Sequence, residues 1–270
     1  MGEVEFLGTG NAFSPNGRMH ALTLIDGSIL IDCPPTALPQ LRRSGVGAHS
    51  IRDLLFTHWH ADHMFGFPFV ILEREWMTPK SETKEPLEIY CRPGGKDILE
   101  GLCEIGFPGA LGEALKEISW SFEERGKISE TSWSFERFPV IHTPETDPHG
   151  YWLIHESGLR LLHCGDSGPC DEIDRRASES QVIIVEMGVP DFVNSPNHHN
   201  PSNVVELARR NQHATILVTH NYAKSPGEHH GFDLPELPDG VVQLSDGDKL
   251  IYDDDGEYFL EIKNGLNYHH

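Results

Sequence analysis

Basic residues are scarce. Twenty-one Lys and Arg face 42 Asp and Glu over 270 residues, a formal charge of −21. That balance argues against a nucleic-acid surface built from spread Lys and Arg, although it leaves room for an anionic ligand held by local cations. Long apolar runs are missing too. None is long enough to span a bilayer, and Met1 to Gly10 has no basic stretch ahead of an apolar one. No membrane association and a cytoplasmic location are therefore expected. Cysteine is sparse and unpatterned: Cys33, Cys91, Cys103, Cys164 and Cys170 are odd in number and form no CxxC pair. This suits reduced thiols in a reducing compartment better than a zinc ribbon or a disulfide framework. Repeats, low-complexity tracts and linkers are also absent, so residues 1–270 are expected to form one domain. Against these absences stand 17 histidines.

The chain alternates short apolar runs with turn residues. Val4–Leu7 reads as a strand ending in the tight loop Gly8-Thr9-Gly10-Asn11. Residues 21–25 and 28–31 flank Asp26-Gly27, the strongest short-range hairpin signal. Thr36 to Ser44 reads as an amphipathic helix closed by Gly45. Residues 53–57 form a buried strand, and His63 to Trp76 a helix with Pro68 near its first turn. A strand at 87–91, a helix at 96–105 and a loop at 106–112 follow. Further strands are expected at 119–124, 132–140, 150–155 and 159–163. The run Gln181 to Val185 has the continuous apolarity of a strand covered on both faces. A helix from Asn203 to Asn211, a strand at 215–218 and short strands near 241–244, 248–252 and 258–262 complete the chain. Hairpins, then alternating strands and helices, then hairpins again predict two sheets between layers of helix.

The chemistry concentrates in Thr57-His58-Trp59-His60-Ala61-Asp62-His63. Four potential ligands within six residues follow a buried strand directly. Imidazoles and a carboxylate suit zinc or a similar divalent ion. The pattern recurs: His142 ends the run 138–141, Asp166 follows the strand 159–163, and His220 ends the strand 215–218. Strand ends are rigid supports from which such side chains can converge on one edge of a sheet sandwich.

On these motifs the sequence resembles the metallo-β-lactamase superfamily, from its first strand to His220. The resemblance implies an α/β fold, a four-layer αββα sandwich, and a dinuclear centre of two divalent ions, zinc first with manganese or iron as alternatives. One ion would be held by His58, His60 and His142. The other would be held by Asp62, His63 and His220, with Asp166 bridging. Asp at position 62 after His58-x-His60 is similar to the hydrolases. The redox branch carries Glu at the second position and an attached flavin domain. Two adjacent cations acidify a water and neutralise charge developing on a phosphoryl or carbonyl oxygen.

Asp62-His63-Met64-Phe65-Gly66-Phe67-Pro68 resembles the DHxxGxP pattern of the tRNase Z-like and cyclic-phosphate phosphodiesterase branches, as does the Gly8–Asn11 loop. The run Val182 to Glu186 resembles the tRNase Z strand whose terminal glutamate pairs with a downstream histidine. Here that histidine would be His198 or His199, donating a proton to a leaving alkoxide and oriented by Glu186. Asp62, Glu186, His198 and His199 are thus the catalytic candidates. The tRNA-gripping arm of tRNase Z lies between the positions of His142 and Asp166, which are only 24 residues apart here. The longer segment from Leu72 to Pro139 carries nine Lys and Arg against fourteen Asp and Glu, the wrong sign for phosphate neutralisation.

The expected activity is hydrolysis of a small or cyclic phosphodiester. The expected partner is a small anionic molecule rather than nucleic acid, with a homodimer left open. Alternatives are a lactone, thioester or sulfate-ester hydrolase, an armless tRNase Z-like ribonuclease, or a non-catalytic metal-holding sensor. Trp59, Phe65, Phe67 and Phe69 are read as core in preference to pocket wall, and His229-His230 as a solvated loop. His20, His49, His149, His155, His163 and His213 are read as structural or exposed. His269 and His270 carry no part of the reading.

Overall fold

Alternation within each strand sorts its side chains into layers, because successive residues point to opposite faces. In Ile29–Ile31, Ile29 and Ile31 face one apolar layer and Leu30 another. In Val182–Met187, Val182 and Ile184 join the first layer, while Ile183 and Val185 turn to a third. The computed structural model describes residues 1–263 and the strand Tyr268–His269. His270 lies outside the described residues, as do residues 264–267.

Two sheets result. One has nine strands, running in space from Tyr268–His269 through Tyr258–Glu261, Asp248–Tyr252, Gly2–Gly8, Leu22–Ile25, Ile29–Ile31, Asp53–Leu55 and Glu88–Tyr90 to Ser119–Ser121. The other has seven, from Val241–Gln243 through Thr215–Asn221, Val182–Met187, Arg160–His163, His149–His155 and Trp133–Pro139 to Arg125–Lys127. The layer containing Phe6, Ile31, Leu55, Trp133, Tyr151, Leu161 and Ile184 lies between them. Helices Ala37–Ser44, Phe67–Trp76 and Gly95–Gly106 cover the outer face of the nine-stranded sheet through Leu41, Phe67, Val70 and Leu99. Asp171–Ala177 and Pro201–Arg210 cover the seven-stranded sheet through Ile173, Val204 and Leu207. This is the expected αββα order. No helix among the described residues is long and apolar enough to cross a membrane.

Three expectations are corrected. The helix read from His63 to Trp76 is two helices, Ala61–Met64 and Phe67–Trp76. At the break, Gly66 N–H donates to the Cys33 carbonyl at 2.8 Å, and a Cβ there would overlap the Pro34 carbonyl oxygen. A glycine is needed because two backbones touch. The strand read over 119–124 ends at Ser121, and the next strand, Arg125–Lys127, lies in the other sheet, so the chain crosses the sandwich over 122–124. The helices Gly112–Lys116 and Asp171–Ala177 were not foreseen. The second had a signal: acidic residues fill its first turn and Arg175-Arg176 its last, matching the helix dipole.

The hairpin at Asp26-Gly27 forms as expected, with φ of 49° and 66°. Four of the five cysteines are buried and none is disulfide-bonded.

Asp53 opposes the fold. It is buried, and its Oδ2 finds no hydrogen-bond donor. Burial pushes its pKa from an ordinary 3.8 to about 7. A carboxyl with a raised folded pKa contributes stability that is complete below its ordinary value and lost as pH rises through the folded one. Asp53→Asn should therefore raise the Tm at pH 8 by about 2–4 °C or more, with the gain shrinking toward pH 4. Thermal melts at both pH values check this, and an equal gain at both would refute it.

Candidate metal centre

The residues His58 to His63 leave the nine-stranded sheet just after the strand Asp53–Leu55. His142, Asp166 and His220 sit at the ends of strands of the other sheet: three residues beyond Trp133–Pro139, three beyond Arg160–His163, and within Thr215–Asn221. Both sheets thus deliver side chains to one edge.

There the seven residues form two clusters. His58, His60 and His142 are one, and Asp62, His63, Asp166 and His220 the other, each with its candidate ligand atoms within 4.8 Å of one another. In the first, His60 Nδ1 lies 3.1 Å from His58 Nε2 and 3.0 Å from His142 Nε2. In the second, His220 Nε2 is 3.2 Å from an oxygen of Asp62 and 3.2 Å from one of Asp166. His63 Nε2 is 3.4 Å from Asp62 and 3.5 Å from Asp166. Asp166 also approaches His58 Nε2, at 3.9 Å, so it stands between the clusters.

The donor set fits divalent cations. Three imidazole nitrogens that face one another cannot all find a proton donor among themselves, whereas a cation satisfies all three lone pairs at once. His63 Nε2 is buried without a hydrogen-bond partner. Burial holds His58, His60 and His142 below their ordinary pKa, and so neutral near pH 7. Burial disfavours the charge of Asp62 and Asp166, but the facing histidines outweigh it and keep both ionised. Burial lowers the pKa of His63 and His220, but Asp166 outweighs it and raises both, so a cation entering the second cluster would displace protons that the first cluster does not carry.

Each cluster is braced from behind. His142 Nδ1–H donates to the Asn197 carbonyl at 2.9 Å. His63 Nδ1–H donates to Asp32 Oδ2 at 2.8 Å. The same oxygen accepts from the Thr57 hydroxyl at 2.8 Å, and that hydroxyl accepts from His58 Nδ1–H at 3.0 Å. Thr57 N–H reaches Asp32 Oδ1 at 2.8 Å. One buried carboxylate therefore orients a histidine of each cluster and fixes Nε2 as the free nitrogen of both. Sequence reasoning missed Asp32. Its signal was an acidic residue directly after the apolar run 29–31, the same strand-end position as the ligands, and it takes a positive φ of 70°.

Glu186 is buried and accepts from Ser167 N–H and Gly188 N–H. Of the two neighbouring histidines, His198 pairs with it, Nδ1 to Oε1 at 2.6 Å. His198 keeps part of its side chain exposed, and its ring lies 4.8 Å from that of His142. His199 is turned away: it is 1% exposed, and its Nδ1–H donates to the Ser167 carbonyl. Of the two histidines, His198 is therefore the one that meets Glu186. Burial draws the pKa of His198 down, but the hydrogen bond and charge of Glu186 outweigh it and raise it to about 9.

The remaining readings divide. Phe67 and Trp59 join the helix-side core, while Phe65 and Phe69 stay part exposed. His149 is structural, buried with Nδ1–H on the Asp147 carbonyl at 2.6 Å.

Residues 28–221 match the family model described as the β-lactamase superfamily domain. Ribonuclease Z of Mycolicibacterium gilvum (strain PYR-GCK) is 25% identical over 248 residues, covering 81% of this chain and 83% of that one. Human zinc phosphodiesterase ELAC protein 2 is 25% identical over 257 residues, covering 83% of this chain and 30% of its own length. A crystal structure of a diphosphatase from the PhnP family superposes with a TM-score of 0.69 at 21% identity, covering 94% of this chain and 98% of that one. Relatives named as ribonucleases weigh against the expectation that nucleic acid is not a partner, and that expectation is withdrawn. With the αββα sandwich, the two His/Asp clusters at its edge and a match across most of its length, the chain belongs to the β-lactamase superfamily, as a metal-dependent hydrolase.

Proposed function

We propose that the chain, as one domain over residues 1–270, is a phosphodiesterase with two divalent ions, zinc first, acting on a small or cyclic phosphodiester in the cytoplasm. His58, His60 and His142 would hold one ion, Asp62, His63 and His220 the other, and Asp166 both. Bound there, the ions supply an acidified water and neutralise charge developing on the phosphoryl oxygens.

The observation that carries the reading is His198, hydrogen-bonded through Nδ1 to Glu186 with its ring beside His142 of one cluster and His220 of the other. A water oxygen bonds to phosphorus, the ester P–O bond breaks, and His198 passes its proton to the departing alkoxide. The water's proton leaves to solvent, from which His198 is reprotonated. Glu186 orients the ring and stabilises its charge.

A small substrate is supported by the span from His142 to Asp166. A single 3-10 turn and two antiparallel strands fill it, with no room for an arm. RNA is the second reading, favoured by the relatives named ribonuclease Z. Assays with bis-p-nitrophenyl phosphate, a nucleoside cyclic phosphate, a 3′-extended RNA, a thioester and a lactone test both. Diesterase activity with about two metal equivalents per chain is expected. No diester hydrolysis with zinc, manganese or iron would refute the proposal.

The proton donor has its own signature. His198→Ala should slow an alkyl diester by about a hundredfold or more. It should slow a p-nitrophenyl ester far less, because p-nitrophenolate leaves without a proton. A raised histidine pKa places the active, protonated form below it, so activity declines as pH rises through that value. Glu186→Gln should therefore move the alkaline limb of kcat/KM to lower pH. Equal slowing of both esters, or an unmoved limb, would remove His198 from the role.

A further inference from the structure

A cleft of about 540 Å³ lies against the metal edge, within the size range of small-ligand sites. Its walls include Phe13, Phe192, Tyr222 and Phe232, drawn from three separate loops. The rings of Phe192 and Phe232 are 5.9 Å apart and those of Tyr222 and Phe232 5.8 Å. Phe13 is 86%, Phe192 75% and Phe232 54% exposed, an unusual outlay of phenylalanine to water around one hollow. In a chain of charge −21, none of the residues lining it is Lys, Arg, Asp or Glu. Besides Tyr222, His230 is the one titratable side chain in its lining, and the aromatic walls suit an uncharged, flat group.

Its inner wall is the back of the proton-donor pair. Gly188 lines the cleft, and its N–H donates to Glu186 Oε2. A Cβ on Gly188 would come within 2.8 Å of His198 Nδ1. Asn11, also in the wall, ties the two flanking strands together: its side chain donates to the Gly188 carbonyl at 3.0 Å and its N–H to the Asn221 carbonyl at 3.2 Å. Tyr222 follows His220 by two residues. The cleft therefore opens on the side of the centre where a leaving oxygen would take its proton.

We infer that this cleft binds the nucleobase of the leaving group, so that the diester hydrolysed is a nucleotide. The inference rests on the phosphodiesterase reading and names its substrate class. Aromatic faces accept any base by stacking, and the NH₂ and carbonyl groups of the exposed Asn16 side chain offer hydrogen bonds to its edge. An aliphatic chain would use the apolar walls but not these polar groups.

The test uses the zinc-loaded full chain and two substrates with the same reacting centre: adenosine 2′,3′-cyclic phosphate and the 2,3-cyclic phosphate of 1-O-methylribose, which lacks the base. The base should raise kcat/KM about tenfold or more. The double variant Phe192→Ala/Phe232→Ala should lose most of that preference, and Phe192→Trp should keep it. No preference in the wild-type chain, or an undiminished one in the double variant, overturns the inference. A short RNA ending in the same cyclic phosphate, run alongside, separates the two sources of the base: a lower KM for the RNA assigns it to a polynucleotide, and a lower KM for the mononucleotide to a free nucleotide. If neither cyclic phosphate is hydrolysed, the phosphodiesterase reading is decided by the wider panel of diesters and metals. The cleft is then tested by equilibrium dialysis with adenosine. Binding that the double variant weakens about tenfold supports a base site, and no binding at about 1 mM overturns it.

Discussion

Asp166→Ala should abolish hydrolysis, lowering kcat by about a thousandfold or more, since metal-based charge stabilisation supplies several kcal/mol. The reason is its position. It is the one residue whose carboxylate lies 3.2 Å from His220, 3.5 Å from His63 and 3.9 Å from His58, and so spans both clusters. Without it, the second cluster keeps only Asp62 as an anion to balance a divalent charge. The first cluster keeps its three histidines intact. Metal analysis of the variant should therefore fall from about two equivalents toward about one, with no rescue of activity by added metal. Full activity, or an unchanged metal content, would show that Asp166 does not bridge.

Asp32→Asn should produce a different defect from a residue that offers no ligand to the metals. Asp32 Oδ2 receives two hydrogen bonds and Oδ1 one. In asparagine one of these oxygens becomes an NH₂ group, which meets a donor where an acceptor is needed. Asparagine tolerates the positive φ of 70° found here, so the substitution tests the side chain rather than the backbone. His63 and His58 would lose their orientation together. Loss of a partner that braces a ligating histidine typically costs 10–100-fold in metal affinity. A competitive chelator titration should show about that loss, with activity recovering as metal is added in excess. That recovery distinguishes Asp32 from Asp166. An unchanged affinity would mean that the ligands are held by packing alone.

The contrast between these two aspartates explains what could be seen in the sequence. Asp166, like His142 and His220, announces itself because it follows a buried apolar run, and strand alternation is a local property. Asp32 occupies the same kind of position, but its partners are 25 and 31 residues away, and nothing local marks the pairing. The break at Gly66 was hidden for the same reason, since the cause is a carbonyl on Pro34. His198 and His199 are adjacent and chemically identical. Only the path of the chain into the helix Pro201–Arg210 decides which ring meets Glu186. The crossing near residue 122 was illegible because both strands are only three residues long, and sheet membership is a tertiary choice. The fold class and the ligand types were local information. The bracing, the partner of Glu186 and the aromatic cleft were not.

The placement of the ligands at the ends of strands from both sheets has a thermodynamic consequence. His58, His60, Asp62 and His63 belong to one half of the sandwich and His142, Asp166 and His220 to the other. Any cation bound among them is a rivet between halves that otherwise meet through apolar side chains. Free metal is then a folding variable as well as a cofactor concentration: at a thousandfold excess over its Kd, one such ion adds about 4 kcal/mol to the native state. Chelation would loosen the seam between the sheets before it disturbed either sheet, starting at the edge where the two clusters meet.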